Sequence, residues 1–300
     1  MKKKQIALFK LHLAVLIFGF TAVFGKLITL DEGPLVWYRM LIASVGLLFL
    51  PRLWKGLREI KRKDAIKVSL TGAIVALHWV TFFGGIKLSN VSVALCMMAT
   101  SSLFTSVLEP IILKKRFSIK EVLLGLMVLP GIFIIFQISY DYVLGMAVGV
   151  LSAFLAALFG SINKTFADKV RPVTVSFLEL STGFVFLSLL MPVYLLWKPE
   201  ASLQITEQSD LLWLLVLGIV CTSFAFLLIV DVLKELSAFT TALAINLEPI
   251  YGILLAIVIL KENKVLSGNF YVGATLIVAA VLLNGLLKNK EIRFKPLAKK

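Results

Sequence analysis

The chain has 300 residues, 59% of them hydrophobic and 16% charged, with a mean hydropathy of +0.97. Soluble domains run at roughly 45–50% apolar and about 25% charged, so this composition excludes a soluble enzyme, a disordered chain and a nucleic-acid-binding domain. The net charge of +14 then reads as a signal of membrane topology rather than of nucleic acid.

A helical span needs about 20 mostly apolar residues. Ten such runs follow in chain order: 8–28, 34–50, 68–86, 91–113, 122–138, 143–162, 173–197, 211–230, 237–260 and 270–287. Lys2, Lys3 and Lys4 precede the first run, which is too long for a cleavable leader and has no small-residue cleavage site, so it reads as a retained signal anchor. With the N-terminus inside, the cytoplasmic side carries 25 Lys or Arg, counting Lys10 at the inner end of the first run, and the external loops 4, with Lys26 and Arg39 inside spans. That asymmetry puts both termini in the cytoplasm. The segment 52–67, with Arg52, Lys55, Arg58, Lys61, Arg62, Lys63 and Lys67, is the strongest inside marker. Cys96 and Cys221 both fall inside apolar runs, as packing residues rather than a disulfide framework.

Ten spans divide into five and five, and an odd number per half reverses the polarity of the second half. The sequence carries faint self-similarity to match. An offset of 147 lays Lys114 on Lys261, and one further residue lays Gly125 on Gly273. Phe18-Gly19 resembles Phe159-Gly160, and Pro34 and Pro172 each open the second span of a half. The expected units are therefore 8–138, 143–287 and a basic cytoplasmic tail, 288–300. Inverted repeats are the architecture of secondary transporters, with a site near the midplane between the repeats.

Polar residues inside spans are the sharpest site signals, because a charge at the bilayer centre costs about 2.5–3.5 kcal/mol on the insertion scale. Glu248 lies near the middle of the ninth run and Pro249 follows it. A carboxylate beside a broken helix can hold a substrate amine or titrate a proton. The alternative is a structural carboxylate bonded to a neighbouring helix. His78 and Trp79 lie mid-way along the third run, as a pH-sensitive group and a stacking surface, or as packing residues. Ser101 with its neighbours Thr100 and Ser102 occupies the mirror position to Glu248. Thr222 and Ser223 sit mid-way along the eighth run, and Asn246 and Asn163 can line a cavity or bond across helices. Arg39 lies in the outer part of the second run and Glu179 in the cytoplasmic part of the seventh. Their depths differ by roughly 10–15 Å at 1.5 Å per residue, so each reads as a gating or structural charge at one mouth of the cavity rather than as half of a pair. Glu109 is expected to snorkel toward Lys114, and Lys26 toward the outside. Gly145-x-x-x-Gly149 is a helix-packing pattern.

The chain resembles the drug/metabolite transporter superfamily in its ten-span EamA-type branch. The resemblance is carried by FGFTAVFGK (18–26), GPLVWYRM (33–40), LEPIYGILLAIVILKEN (247–263) and GNFYVGATLIVAAVLL (268–283), and covers about 8–287. The first copy departs from the pattern: it ends Lys114-Lys115-Arg116 where the second ends Lys261-Glu262-Asn263, which argues against a functional role for Glu262. The resemblance implies an all-α basket in which spans 1–4 and 6–9 line a central cavity and spans 5 and 10 are peripheral. It also implies export of amino-acid-like solutes across the inner membrane.

No P-loop, H-E-x-x-H, paired-cysteine or G-x-S-x-G motif is present, so no catalytic residue, metal site or cofactor is expected. The expected partners are a small-molecule substrate and membrane lipids, with no nucleic acid, and the chain is expected to be a homodimer or a monomer. The competing reading is a membrane enzyme or lipid-handling subunit working at the cytoplasmic face through Glu179, Glu109 and Lys164.

Overall fold

A computed structural model describes residues 2–136, 140–166, 169–232, 235–236, 244 and 247–294. Among these the chain is helical, without a strand. The helices are α1 (Lys2–Leu27), α2 (Glu32–Leu48), α3 (Pro51–Glu59), α4 (Arg62–Leu88), α5 (Val91–Met98), α6 (Ser101–Leu113), α7 (Ile119–Leu126) and α8 (Leu129–Phe136). Then come α9 (Val143–Lys164), α10 (Pro172–Trp197), α11 (Gln208–Leu215), a π-helical segment (Val216–Phe224), α12 (Ala225–Val232), α13 (Glu248–Ile259) and α14 (Gly268–Phe294).

Among the described residues six stretches are long and apolar enough to cross a membrane: Lys3–Leu27, Arg62–Leu88, Val91–Leu113, Val143–Lys164, Pro172–Trp197 and Gln208–Ile229. A seventh is the pair α2 and α3, which bends by 92°. The other expected spans are interrupted or only partly described. The fifth breaks between α7 and α8 at Met127 and Val128, where Pro130 removes a donor and crowds the carbonyl four residues back. The ninth is followed as a helix from Glu248, and most of 237–246 lies outside the described residues. The tenth is an apolar helix over Gly268–Ala280.

The basic segment after the second run is not a plain loop. The apolar run ends at Leu50, Pro51 starts a new helix, and α3 turns away from α2. Its Leu53 is fully buried, Gly56 lies directly against Arg171 and Thr174 of α10, and Trp54 is exposed. Arg171 Nε donates to Glu59 Oε2 at 2.9 Å, and this bond, the leading cause, holds the Glu59 carboxyl below the usual glutamate range.

Helix contacts fall into matching pairs. α1 packs on α13 as α9 packs on α6, and α2 packs on the π segment as α10 packs on α4. Helices α8 and α14 pack on each other at paired glycines: a Cβ on Gly131 would lie 2.5 Å from the Gly273 carbonyl, and one on Gly273 would lie 2.6 Å from the Gly131 carbonyl. Gly145 and Gly149 are used in the same way, since a Cβ on Gly85 of α4 would lie 3.3 Å from the Gly145 carbonyl and 3.4 Å from Gly149 N. Lys114 and Lys261, aligned in the sequence, both take the left-handed conformation (φ 52° and 57°) that ends their helices.

Candidate functional site

A cavity of about 530 Å³ lies inside the bundle, within the range of small-molecule sites. Its wall is drawn from α1, α2, α4, the α5–α6 junction, α9, α10, the π segment, α12 and α13, and among the described residues none from α7, α8 or α14 lines it. Seven of the sequence-derived site residues meet there: Arg39, His78, Trp79, Ser101, Glu179, Thr222 and Glu248. The eighth, Asn246, lies outside the described residues.

Arg39 is the most elaborately held of them. It is 5% exposed. Its guanidinium carbon lies 3.7 Å from the centroid of the Trp79 ring and 5.5 Å from that of Phe83, and its Nε donates to Thr222 Oγ1 at 3.1 Å. Glu248 is a charge partner of Arg39 across the cavity. A cation lying on an aromatic face in a desolvated site gains about 2 kcal/mol or more, which helps to offset its burial. Among the described residues no ion pair joins Arg39 to Glu179, as their depths require.

Thr222 reaches Arg39 because the eighth span is locally unwound. Thr222 Oγ1 donates to the Leu217 carbonyl at 2.8 Å and Ser223 Oγ to that of Gly218 at 3.3 Å, each five residues back. Wide π turns of this kind collect at functional sites. Ser223 Oγ also bonds the Ala43 carbonyl of α2 at 3.1 Å.

His78 is committed to a neighbouring helix. Its Nδ1 lies 2.9 Å from the Ser152 carbonyl and 2.8 Å from Ser152 Oγ, while Ser152 Oγ donates to the His78 carbonyl at 2.9 Å. The network assigns the proton to Nδ1, donating to the Ser152 carbonyl. The ring packs on Phe159 at 5.4 Å.

Glu179, on α10, is 6% exposed, and Asn163 of α9 is its polar neighbour. Glu109 does not turn to Lys114 as expected. It pairs with Lys164 and, at 3.8 Å, with Lys115. The turn after α6 sends Lys114 into its left-handed cap instead.

The opposite end of the bundle is stitched by polar contacts that the sequence did not announce. Lys198 Nζ lies 2.7 Å from Asp31 Oδ1 and 3.3 Å from Glu32 Oε2, and Tyr194 Oη donates to Glu32 Oε1 at 2.9 Å. Partial burial works against the Lys198 ammonium, but the bond to Asp31 and the charge of Glu32 outweigh it and hold it above the usual lysine range. Thr29 donates to Asp210 through N at 2.9 Å and Oγ1 at 2.6 Å. Glu262, set aside on sequence, caps α5: Val91 N and Ser92 N donate to its two oxygens at 2.9 and 3.0 Å, and Ser92 Oγ donates at 2.5 Å.

The cavity wall also contains Phe18, Phe82, Phe159 and Phe226, which sequence reasoning missed. An aromatic residue in an apolar run carries no mark distinguishing a cavity wall from a lipid face.

A multi-pass helical bundle with a polar-studded internal cavity defines the class: a membrane protein built to admit a small solute. The EamA-like transporter family matches the chain twice, over residues 5–137 and 143–286, and the chain belongs to that family, within the drug/metabolite transporter superfamily. It is 24% identical over 264 residues to the uncharacterized transporter YxxF of Bacillus subtilis (strain 168), covering 85% of this chain and 82% of the relative. It is 25% identical over 208 residues to an uncharacterized transporter of Archaeoglobus fulgidus, covering 68% of this chain and 72% of the relative. One solved crystal structure superposes with a TM-score of 0.63 at 17% identity, over 97% of this chain and 99% of its own, a likeness of fold alone.

Proposed function

We propose that the protein is a secondary transporter that exports small amino-acid-like solutes across the cytoplasmic membrane by alternating access. It has ten spans in two inverted repeats, with both termini inside. The observation that carries this reading is the cavity itself: both halves of the chain line it, and Arg39 and Glu248 offer it opposite charges. A zwitterion's carboxylate matches the planar fork of Arg39, and its ammonium matches Glu248. The helix pairings that repeat between the halves, and the matching left-handed caps at Lys114 and Lys261, support the inverted repeat.

In this reading the end that holds Asp31, Lys198, Asp210 and Glu262 faces outward. The basic segments, α3 and the Lys164–Glu109 pair face the cytoplasm. The polar stitches at the outer end are what an outward opening must break.

Counterflow tests the proposal. Proteoliposomes loaded with an unlabelled amino-acid mixture and supplied outside with the labelled mixture should accumulate label over empty liposomes with wild type and lose that accumulation with Glu248→Gln. Wild-type accumulation that survives Glu248→Gln would demote Glu248 to a structural role. No accumulation by wild type would remove amino acids as cargo.

A further inference from the structure

Among the buried cavity-wall oxygens that lack partners in the described residues are Glu179 Oε1 on α10 and Asn163 Oδ1 on α9. They belong to two side chains that are already polar neighbours. Both are acceptors, and an amide oxygen and a carboxylate oxygen cannot satisfy each other. One proton removes both deficits. A carboxylic acid and a primary amide close a ring in which the acid O–H donates to the amide oxygen and the amide N–H donates back to the other acid oxygen. The pair seen here has the components of that ring, and the oxygens left over are the two that the acid proton would join.

Charge leads to the same conclusion. An ionised carboxylate buried without a cation is costly, and no ion pair to Glu179 exists among the described residues. The charged groups on neighbouring elements are engaged elsewhere. Arg39 of α2 lies on Trp79 and bonds Thr222, and Glu248 of α13 is coupled to it. His78 of α4 bonds Ser152, Lys164 of α9 bonds Glu109, and Glu59 of α3 bonds Arg171. Among the described residues Glu248 has a counter-charge and Glu179 has none.

We propose that Glu179 is the proton-carrying site of this transporter, held as a neutral acid against the Asn163 amide. The inference rests on the transporter reading for its role. The proton arrives from water when the cavity opens to one side. It leaves Glu179 as the carboxylate forms, and passes to water on the other side. Asn163 is a positioning residue: its amide neighbours the Glu179 carboxyl, and its unpartnered Oδ1 is the acceptor for the acid proton. This assigns coupling to Glu179 rather than to Glu248 or His78.

Infrared difference spectroscopy on the purified full-length protein during a pH titration reads the acid directly. Wild type should show a protonated-carboxyl carbonyl band that Glu179→Gln removes and Glu248→Gln keeps. Asn163→Leu should move the band to higher frequency, as a carbonyl freed from its hydrogen-bonded ring does. A band that survives Glu179→Gln, or that only Glu248→Gln removes, overturns the assignment. The second readout is counterflow of the amino-acid mixture with and without an imposed pH gradient, where Glu179→Gln should lose the stimulation by the gradient. Stimulation that persists in Glu179→Gln overturns the coupling role. If wild type gives no counterflow while the band behaves as expected, the amino-acid cargo has failed and the proton site stands.

Discussion

Arg39 lies over the Trp79 ring, its guanidinium carbon 3.7 Å from the ring centroid, and binds Thr222 through Nε. Three spans thus meet at one cation: α2 supplies the charge, α4 the ring and the π segment the hydroxyl. The guanidinium edges not used by Thr222 are the part of this assembly suited to an incoming carboxylate.

Replacing Arg39 by Lys keeps the charge but removes the planar stack and the fork. Loss of a desolvated cation–π contact of about 2 kcal/mol corresponds to more than tenfold in affinity. Arg39→Lys and Trp79→Leu should each weaken half-saturating solute concentration in counterflow by about tenfold or more. The double variant should be little worse than either single one. Additive losses would mean that the two side chains act separately.

Glu262 closes the amino end of α5 with three hydrogen bonds, two to main-chain N–H groups. Glu262→Gln removes the charge that helix N-termini favour and weakens each bond, at a cost of about 1–3 kcal/mol. Thermal unfolding in detergent should shift down, and Glu262→Ala should shift it further. An unchanged melting temperature would show that the cap adds nothing to stability.

At the end that the proposed orientation places outside, Lys198→Met cuts both contacts to Asp31 and Glu32. For a part-exposed pair the loss is modest, about 0.2–1 kcal/mol, so the outward-open population should rise by only a few-fold. Cys221 in the cavity wall is a native reporter. In a Cys96→Ala background, Lys198→Met should speed its reaction with an impermeant maleimide added outside. Equal rates would remove this cluster from gating.

Glu59 bonded to Arg171 ties α3 to α10. Its carboxyl is held below the ordinary value, so the contact is fully present above the unfolded glutamate value of about 4.3. It is lost as pH falls through the folded value. Trp54, exposed on α3, should change its fluorescence only at acid pH below that reference, and Arg171→Gln should move the transition up toward it. A transition that Arg171→Gln leaves in place would mean that another group controls α3.

The apolar runs located the helices because lipid demands continuous hydrophobic length, and the polar residues within them located most of the cavity because charge in a span needs compensation. What stayed hidden depends on tertiary partners. The π segment contains hydroxyls at Thr222 and Ser223 that bond five residues back, a pattern with no period in the sequence. Glu262 looked idle because the first repeat has no equivalent acid, yet its partners Val91 and Ser92 lie some 170 residues away. Lys198 and Asp31 sit in connections and Glu32 opens α2, places where charge is ordinary until the fold brings them together.

Alternating access to the cavity is the central claim, and Cys221 tests it most directly. With Cys96→Ala protein, an impermeant maleimide should reach Cys221 from outside in intact cells and from inside in inverted vesicles. A transported solute should slow the reaction from both faces. Reaction from one face alone under every solute condition, or from neither, would contradict the account.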